Sequence, residues 1–171
     1  MADISVRALT EDDWQAYRSV RLAALVESPE AFVATAPDEE AFPESEWRDR
    51  MKRSHRLLAE VDGAAAGVAS VGDIPEADSP TVAQLFGLWV RPSSRGTGVA
   101  SALVRAGAET ARDNGKTHLA YWVGTDNGRA VAFASGFGFR PTDSRRPMRV
   151  VSADDGEEEI CMVLPLGVDR A

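Results

Sequence analysis

The sequence predicts a layered α/β domain, one sheet flanked by helices, and three observations carry that expectation. The apolar period switches repeatedly between two and about 3.6 along the chain of 171 residues. An Asp-Gly pair joins two alternating runs, the strongest short signal for a hairpin. A glycine-rich turn then connects a long apolar run to an amphipathic segment, as a strand leading into a helix would read. At this length one domain over residues 1–171, with its own core, is expected.

Taken in order, "ISVRAL" alternates and reads as a strand. Thr10 and Asp13 form a capping pattern, after which Trp14, Tyr17, Val20 and Ala24 recur at helical spacing. "ESPEAFVATAPDEEAFPE" is a Pro-interrupted connection, too polar and broken for a long helix. "PESEWRDRMKR" reads as a second short helix with Pro43 near its start. From His55 the period is two: "RLLAEV", the Asp62-Gly63 turn of type I′, then "AAAGVASVGD". After the loop "DIPEADSP", "TVAQLFGLWV" is a long strand stopped by Pro92. A helix from about Thr97 to Asn114 puts Val99, Ala102, Leu103 and Ala106 on one face, and Gly115 ends it. "THLAYWVG" is a strand, Asn127 caps a short helix ending near Gly136 or Gly138, and an Arg- and Pro-rich loop follows "FGFRPT". "EEEICMVLPL" closes the chain as a strand. The order is β-α-α-β-β-β-α-β-α-β-β.

Composition excludes several function classes. No apolar run reaches the roughly 18 residues of a membrane span, and "MADISVRALTEDDW" lacks the features of a secretory signal. One cysteine, Cys161, forbids an internal disulfide framework and reads as a small buried hydrophobe; two histidines make no metal cluster. A cytoplasmic location without a membrane partner is expected. Net charge −8 argues against nucleic acid, whose binding comes mainly from phosphate neutralisation. The charge is unevenly spread: −9 over residues 1–90, +6 over 91–150, −5 over 151–171. The cationic block fits a small polyanion.

That block begins with "LWVRPSSRGTGVASALV". The N–H groups of Gly96, Thr97, Gly98, Val99 and Ala100 open a helix and have no intrahelical acceptor. The helix dipole adds about half a positive charge there. The glycines admit a ligand close to the backbone, and Arg95 adds formal charge. Together these make a phosphate site. A P-loop would need Lys where Val99 stands. A dinucleotide fingerprint would need an acidic residue at the end of the next strand, where "KTHLA" has none.

A second landmark, "DNGRAVAFASGFGFRP", lies about thirty residues on, beyond an intervening strand. With it the chain resembles the general N-acetyltransferase (GNAT) superfamily. "RGTGVA" matches that family's R/Q-x-x-G-x-G/A loop, and "NGRAVAFASGFGF" its second signature. The resemblance implies a mostly antiparallel mixed sheet, splayed between the fourth and fifth strands, with Gly87 a natural site for the irregularity. It implies acetyl-CoA (coenzyme A) as cofactor. The backbone of Leu88, Trp89 and Val90 would pair with the pantetheine arm, and Arg95, Gly96, Thr97, Gly98, Val99, Ala100 and Ser101 would hold the pyrophosphate. Asn127 would contact pantetheine and Phe133 would pack near the thioester.

The implied reaction is direct attack of an amine on the thioester in a ternary complex, with the Leu88 N–H stabilising the oxyanion. Two expected residues are missing: Ala134 replaces the usual tyrosine acid, and Gln84 stands where some members carry a glutamate base. Ser135 and Tyr121 are the substitutes for the acid. Glu30, Phe32, Glu39 and Glu40, in the loop that usually lines the acceptor side, are expected to meet the amine. The acidic first half favours a small, cationic acceptor. Two alternatives stand beside it: a protein or peptide N-terminus as acceptor, and a non-catalytic acyl-CoA sensor. Dimers are common in the family, so a homodimer is compatible.

Overall fold

The structure, a computed structural model, describes residues 3–74, 80–125, 127–147 and 158–167, apart from the side chains of residues 30 and 147. Seven strands form one sheet in the order β1-β2-β3-β4-β5-β7-β6. They are β1 (Ile4–Ala8), β2 (His55–Val61), β3 (Ala64–Asp73), β4 (Val82–Val90), β5 (His118–Gly124), β6 (Arg140–Pro147) and β7 (Glu158–Pro165). All neighbours are antiparallel except β4 and β5. The helices are α1 (Trp14–Glu27), α2 (Ala36–Glu40), α3 (Glu44–Arg53), α4 (Val99–Asp113) and α5 (Gly128–Phe137).

The period-two reading places alternate residues in opposite layers. Leu57, Val71 and Leu85 pack beneath α4 with Val99, Leu103 and Val104. Leu58, Val68 and Trp89 face the other way, against Tyr17, Val20, Trp47 and Met51 of α1 and α3. The β2–β3 hairpin turns at Asp62 (φ 52°) and Gly63 (φ 87°), the conformation an Asp-Gly turn supplies. The Asp13 carboxylate accepts from the Thr10 N–H at 2.8 Å, closing the entry to α1 as the capping pattern predicts.

Two elements differ from the sequence reading. The Arg- and Pro-rich segment is not a loop: Arg145, Arg146 and Pro147 pair with Ile160, Glu159 and Glu158, making β6 the sheet edge. Proline is tolerated there because an edge strand does not need every ladder donor. Inside the long connection, Thr35 caps the five-residue α2 by accepting from the Asp38 N–H at 3.4 Å.

The sheet and α4 approach too closely for a side chain at Gly67, where a Cβ would lie 2.8 Å from the Trp89 carbonyl oxygen. That obstacle is backbone on the neighbouring strand and cannot swing aside. Gly67→Ala is therefore expected to destabilise the fold by about 1–3 kcal/mol, a drop of roughly 2–12 °C in Tm. A thermal melt matching the parent would refute this.

Candidate functional site

The site begins where two strands part. β4 pairs with β5 only from Val82↔His118 to Leu85↔Tyr121. Beyond that, Phe86 to Val90 have no partner on the β5 side. The cause lies on the other edge. Val68 is opposite Trp89 but Ser70 is opposite Phe86, so Gly87 and Leu88 share the space facing Ala69. Such a bulge bends and twists its strand, and Gly87 takes the positive φ of 64° that the bend requires. The sequence expectation for Gly87, and for the splay, is met.

A cavity of about 570 Å³ runs along the freed edge of β4 to the mouth of α4. The backbone of Leu88, Trp89 and Val90 forms one wall, with Phe133 of α5 also lining it. Ser94, Arg95, Gly96, Gly98, Ala100 and Ser101 form the far end. The first bond within this helix end is Ala102 N–H to Gly98 carbonyl, at 3.0 Å, which leaves the N–H groups of Val99, Ala100 and Ser101 without an acceptor inside the helix. With φ of 78° at Gly96 and 98° at Gly98, the turn has a backbone that few other residues adopt.

Several predicted side chains are already engaged. Arg95 folds back, its Nε donating to the Val90 carbonyl at 2.8 Å and its Nη2 reaching the Ser28 hydroxyl at 3.5 Å. The Thr97 hydroxyl donates to the Ser94 carbonyl, and the Val99 side chain is buried in the core. Arg95 lines the donor cavity, whereas Thr97 and Val99 are not among its lining residues. The Asn127 side chain accepts from the Ala130 N–H at 3.1 Å, so it caps α5. The Trp89 ring is buried, donating to Ser28 at 3.3 Å. Ser28 is the residue sequence reasoning missed here: a buried hydroxyl tying strand, loop and Arg95 together, in a connection without periodicity to mark it.

A second cavity of about 310 Å³ meets the first at Leu88 and Ala31. Phe32, Gln84, Tyr121 and Trp122 line it, with Arg21, Arg146 and Glu159. Tyr121 thus lines the same cleft as Leu88, and burial pushes its phenol pKa up, so the hydroxyl stays protonated at neutral pH. Gln84 sits in the same cleft as a neutral group. Ser135 does not: it is exposed on α5 and lines neither cavity. Arg146 was hidden in the segment read as a loop, and Glu159 in the closing strand, where neither carries a motif. They pair at 2.8 Å, with the Arg146 guanidinium 4.1 Å from the Trp122 ring centre.

The acceptor-side carboxylates need correcting. Glu39 is 2% exposed and saturated by Arg21 and Arg50, which each donate two hydrogen bonds at 3.0–3.3 Å. It holds helices together and is closed to an incoming amine. Glu40 is exposed and lines neither cavity, while the Glu30 side chain lies outside the described residues. The expectation of a cationic acceptor came from the acidic charge of residues 1–90, but the cleft presents no free carboxylate among the described residues. Cys161 is buried with its thiol pKa raised by that burial, an inert core position as expected.

Comparison with known proteins bears on this geometry. The model of the Acetyltransferase (GNAT) family matches residues 8–139. Mycothiol acetyltransferase of Parafrankia sp. is 29% identical over 167 residues, covering 86% of this chain and 51% of that protein. N-acetyltransferase 8B of Rattus norvegicus is 37% identical over 83 residues, 47% of this chain and 37% of the relative. The chain spans about half the length of the curated relatives it matches. A Salmonella typhimurium acetyltransferase solved with its cofactor acetyl-CoA superposes with TM-score 0.73 at 19% identity, over 98% of this chain and 96% of that one. No helix among the described residues is long and apolar enough to cross a membrane.

Proposed function

The chain belongs to the acetyltransferase (GNAT) family, and from that premise we propose that it moves an acetyl group from acetyl-CoA to the amine of a small molecule, both bound at once. The observation that carries this reading is the continuity of the two cavities at Leu88. One is shaped for a long donor with a diphosphate, and the other opens beside it for an acceptor.

The residues fit the donor. An unpaired strand edge suits an extended arm that carries amides of its own, as added strands do. The α4 mouth supplies N–H groups and dipole to a diphosphate. Gly98 and Ala100 leave room for it. When bound, the cofactor supplies an activated acyl thioester.

Around it, the protein positions and polarises. The backbone at the Leu88 bulge borders both cavities, where an N–H can stabilise negative charge developing on a carbonyl oxygen. Tyr121 is the hydroxyl within the acceptor cleft and takes the role of proton donor in place of the missing tyrosine at Ala134. Its raised pKa makes full transfer to a thiolate of pKa about 8.5 uphill, so hydrogen-bond donation is its main contribution. Among the described residues lining the cleft, the carboxylate of Glu159 is paired with Arg146 and none is a free base, so juxtaposition, worth effective molarities of ~10⁵ M or more, does most of the catalysis.

Calorimetry with coenzyme A, followed by thiol release over a panel of amines, tests the reading. Tyr121→Phe is expected to lower kcat about 10- to 100-fold with coenzyme A affinity unchanged. An unaltered kcat would remove Tyr121 from the mechanism. Turnover of peptides alone would favour a protein N-terminus as acceptor. Tight coenzyme A binding without any turnover would favour a sensor.

A further inference from the structure

Between α1, α3 and the central strands lies a third cavity, of about 220 Å³. Arg21, Arg50, Arg53 and Arg56 all line it. Two carboxylates answer the first three: Glu39 holds Arg21 and Arg50, and Glu46 holds Arg50 and Arg53. Arg56 has no carboxylate within ion-pair distance among the described residues, although it is only 6% exposed. Its Nε donates to the Arg50 carbonyl at 3.1 Å and its Nη1 to the Ser70 hydroxyl at 2.7 Å. Its Nη2 bonds to no described residue and is accessible from the cavity.

A guanidinium cannot shed its charge in a protein, so burial leaves a cost of several kcal/mol to be offset. The rings of Tyr17 and Phe86, at 5.0 and 5.6 Å, offset part of it. Neutral acceptors offset a little more. A purely structural role, tying the end of α3 to β3, accounts for Nε and Nη1. It does not account for the free Nη2 on a cavity that gathers three further arginines. An oxyanion entering the cavity would meet this Nη2 together with those arginines.

The position of the cavity says where that anion comes from. It shares Arg21, Phe86 and Gly87 with the acceptor cleft. Gly87 is the residue before Leu88, so about 3.8 Å separates their Cα atoms. The arginine pocket therefore adjoins the acceptor cleft, which Leu88 also lines. Resting on the acetyl-transfer reading above, we propose that this pocket binds an oxyanion carried by the acceptor itself, so that the substrate is an acidic amine bearing a carboxylate or a phosphate. This reverses the charge preference that the acidic composition of residues 1–90 suggested.

The test compares matched acceptors by thiol release: α-amino acids against their own carboxamides, and an amino sugar phosphate against the parent amino sugar. The parent protein is expected to favour the anionic member of at least one set by tenfold or more in kcat/KM, and the set that responds identifies the oxyanion. In Arg56→Met the preference should fall to within about twofold, through KM, while calorimetry shows coenzyme A affinity unchanged. Arg53→Gln alters an exposed arginine without disturbing the core and should raise KM for the anionic acceptor about three- to tenfold, which keeps the test open if Arg56→Met does not fold. Neutral partners used as well as anionic ones, no turnover of any by protein that binds coenzyme A, or a preference that survives both variants would overturn the proposal. Failure of the parent protein to bind coenzyme A would overturn the donor reading instead.

Discussion

Gly98→Glu is expected to weaken coenzyme A binding by at least a hundredfold. The position has φ of 98°, where any side chain is strained, and it lines the end of the donor cavity at the α4 mouth. A glutamate there sets a carboxylate against the phosphates that the helix end would otherwise attract, reversing the sign of the local field. Space alone is not the obstacle: a Cβ would meet only Ile4 Cδ1, at 3.8 Å. Gly98→Ala therefore separates the causes, adding strain of roughly 1–2 kcal/mol without charge. Calorimetry should show the alanine variant within about tenfold of the parent and the glutamate variant without measurable heat. Equal affinity in all three proteins would mean that the diphosphate binds elsewhere.

The parts of this site that the sequence announces are those where backbone conformation dictates residue type. Gly63, Gly87, Gly96 and Gly98 all have positive φ, and each falls where a turn, bulge or helix mouth is expected from its neighbours. Local chemistry is enough to find them. Charge partnerships are different, because they depend on which surfaces the fold brings together. Glu39 is read as an exposed loop carboxylate because nothing within ten residues on either side reveals Arg21 and Arg50. The arginine pocket is invisible for the same reason: its members come from α1, α3 and β2, and their spacing has no motif. The order read from the sequence includes a strand here, but its part beyond Thr142 reads as a loop, because arginine and proline interrupt the alternation in a way that an edge strand tolerates. Ser135 and Tyr121 look equally eligible in the sequence; only the splay at Leu85↔Tyr121 separates them.

Glu39→Gln is expected to cost about 3–5 kcal/mol of stability, because it leaves the largely buried Arg21 guanidinium without a carboxylate and Arg50 with Glu46 alone. That corresponds to a fall of roughly 6–20 °C in Tm. A surface ion pair would be worth about 1 kcal/mol or less, so the size of the loss distinguishes a clamp from decoration. The pH dependence gives a second check. Burial alone would raise the Glu39 carboxyl pKa, but hydrogen bonds and charge from Arg21 and Arg50 outweigh it and hold the carboxyl below its ordinary value. A depressed folded-state pKa means the stabilisation is complete above the unfolded value of about 4.3 and is lost as pH falls through the folded one. The gap in Tm between parent and Glu39→Gln should therefore be constant from pH 7 to about 5 and narrow on further acidification. If the gap is small at pH 7, or does not change with acid, the carboxylate is not what fastens α2 to α1 and α3. In that case the arginines around the third cavity are held by something other than charge balance, and the single unanswered cation at Arg56 loses its significance.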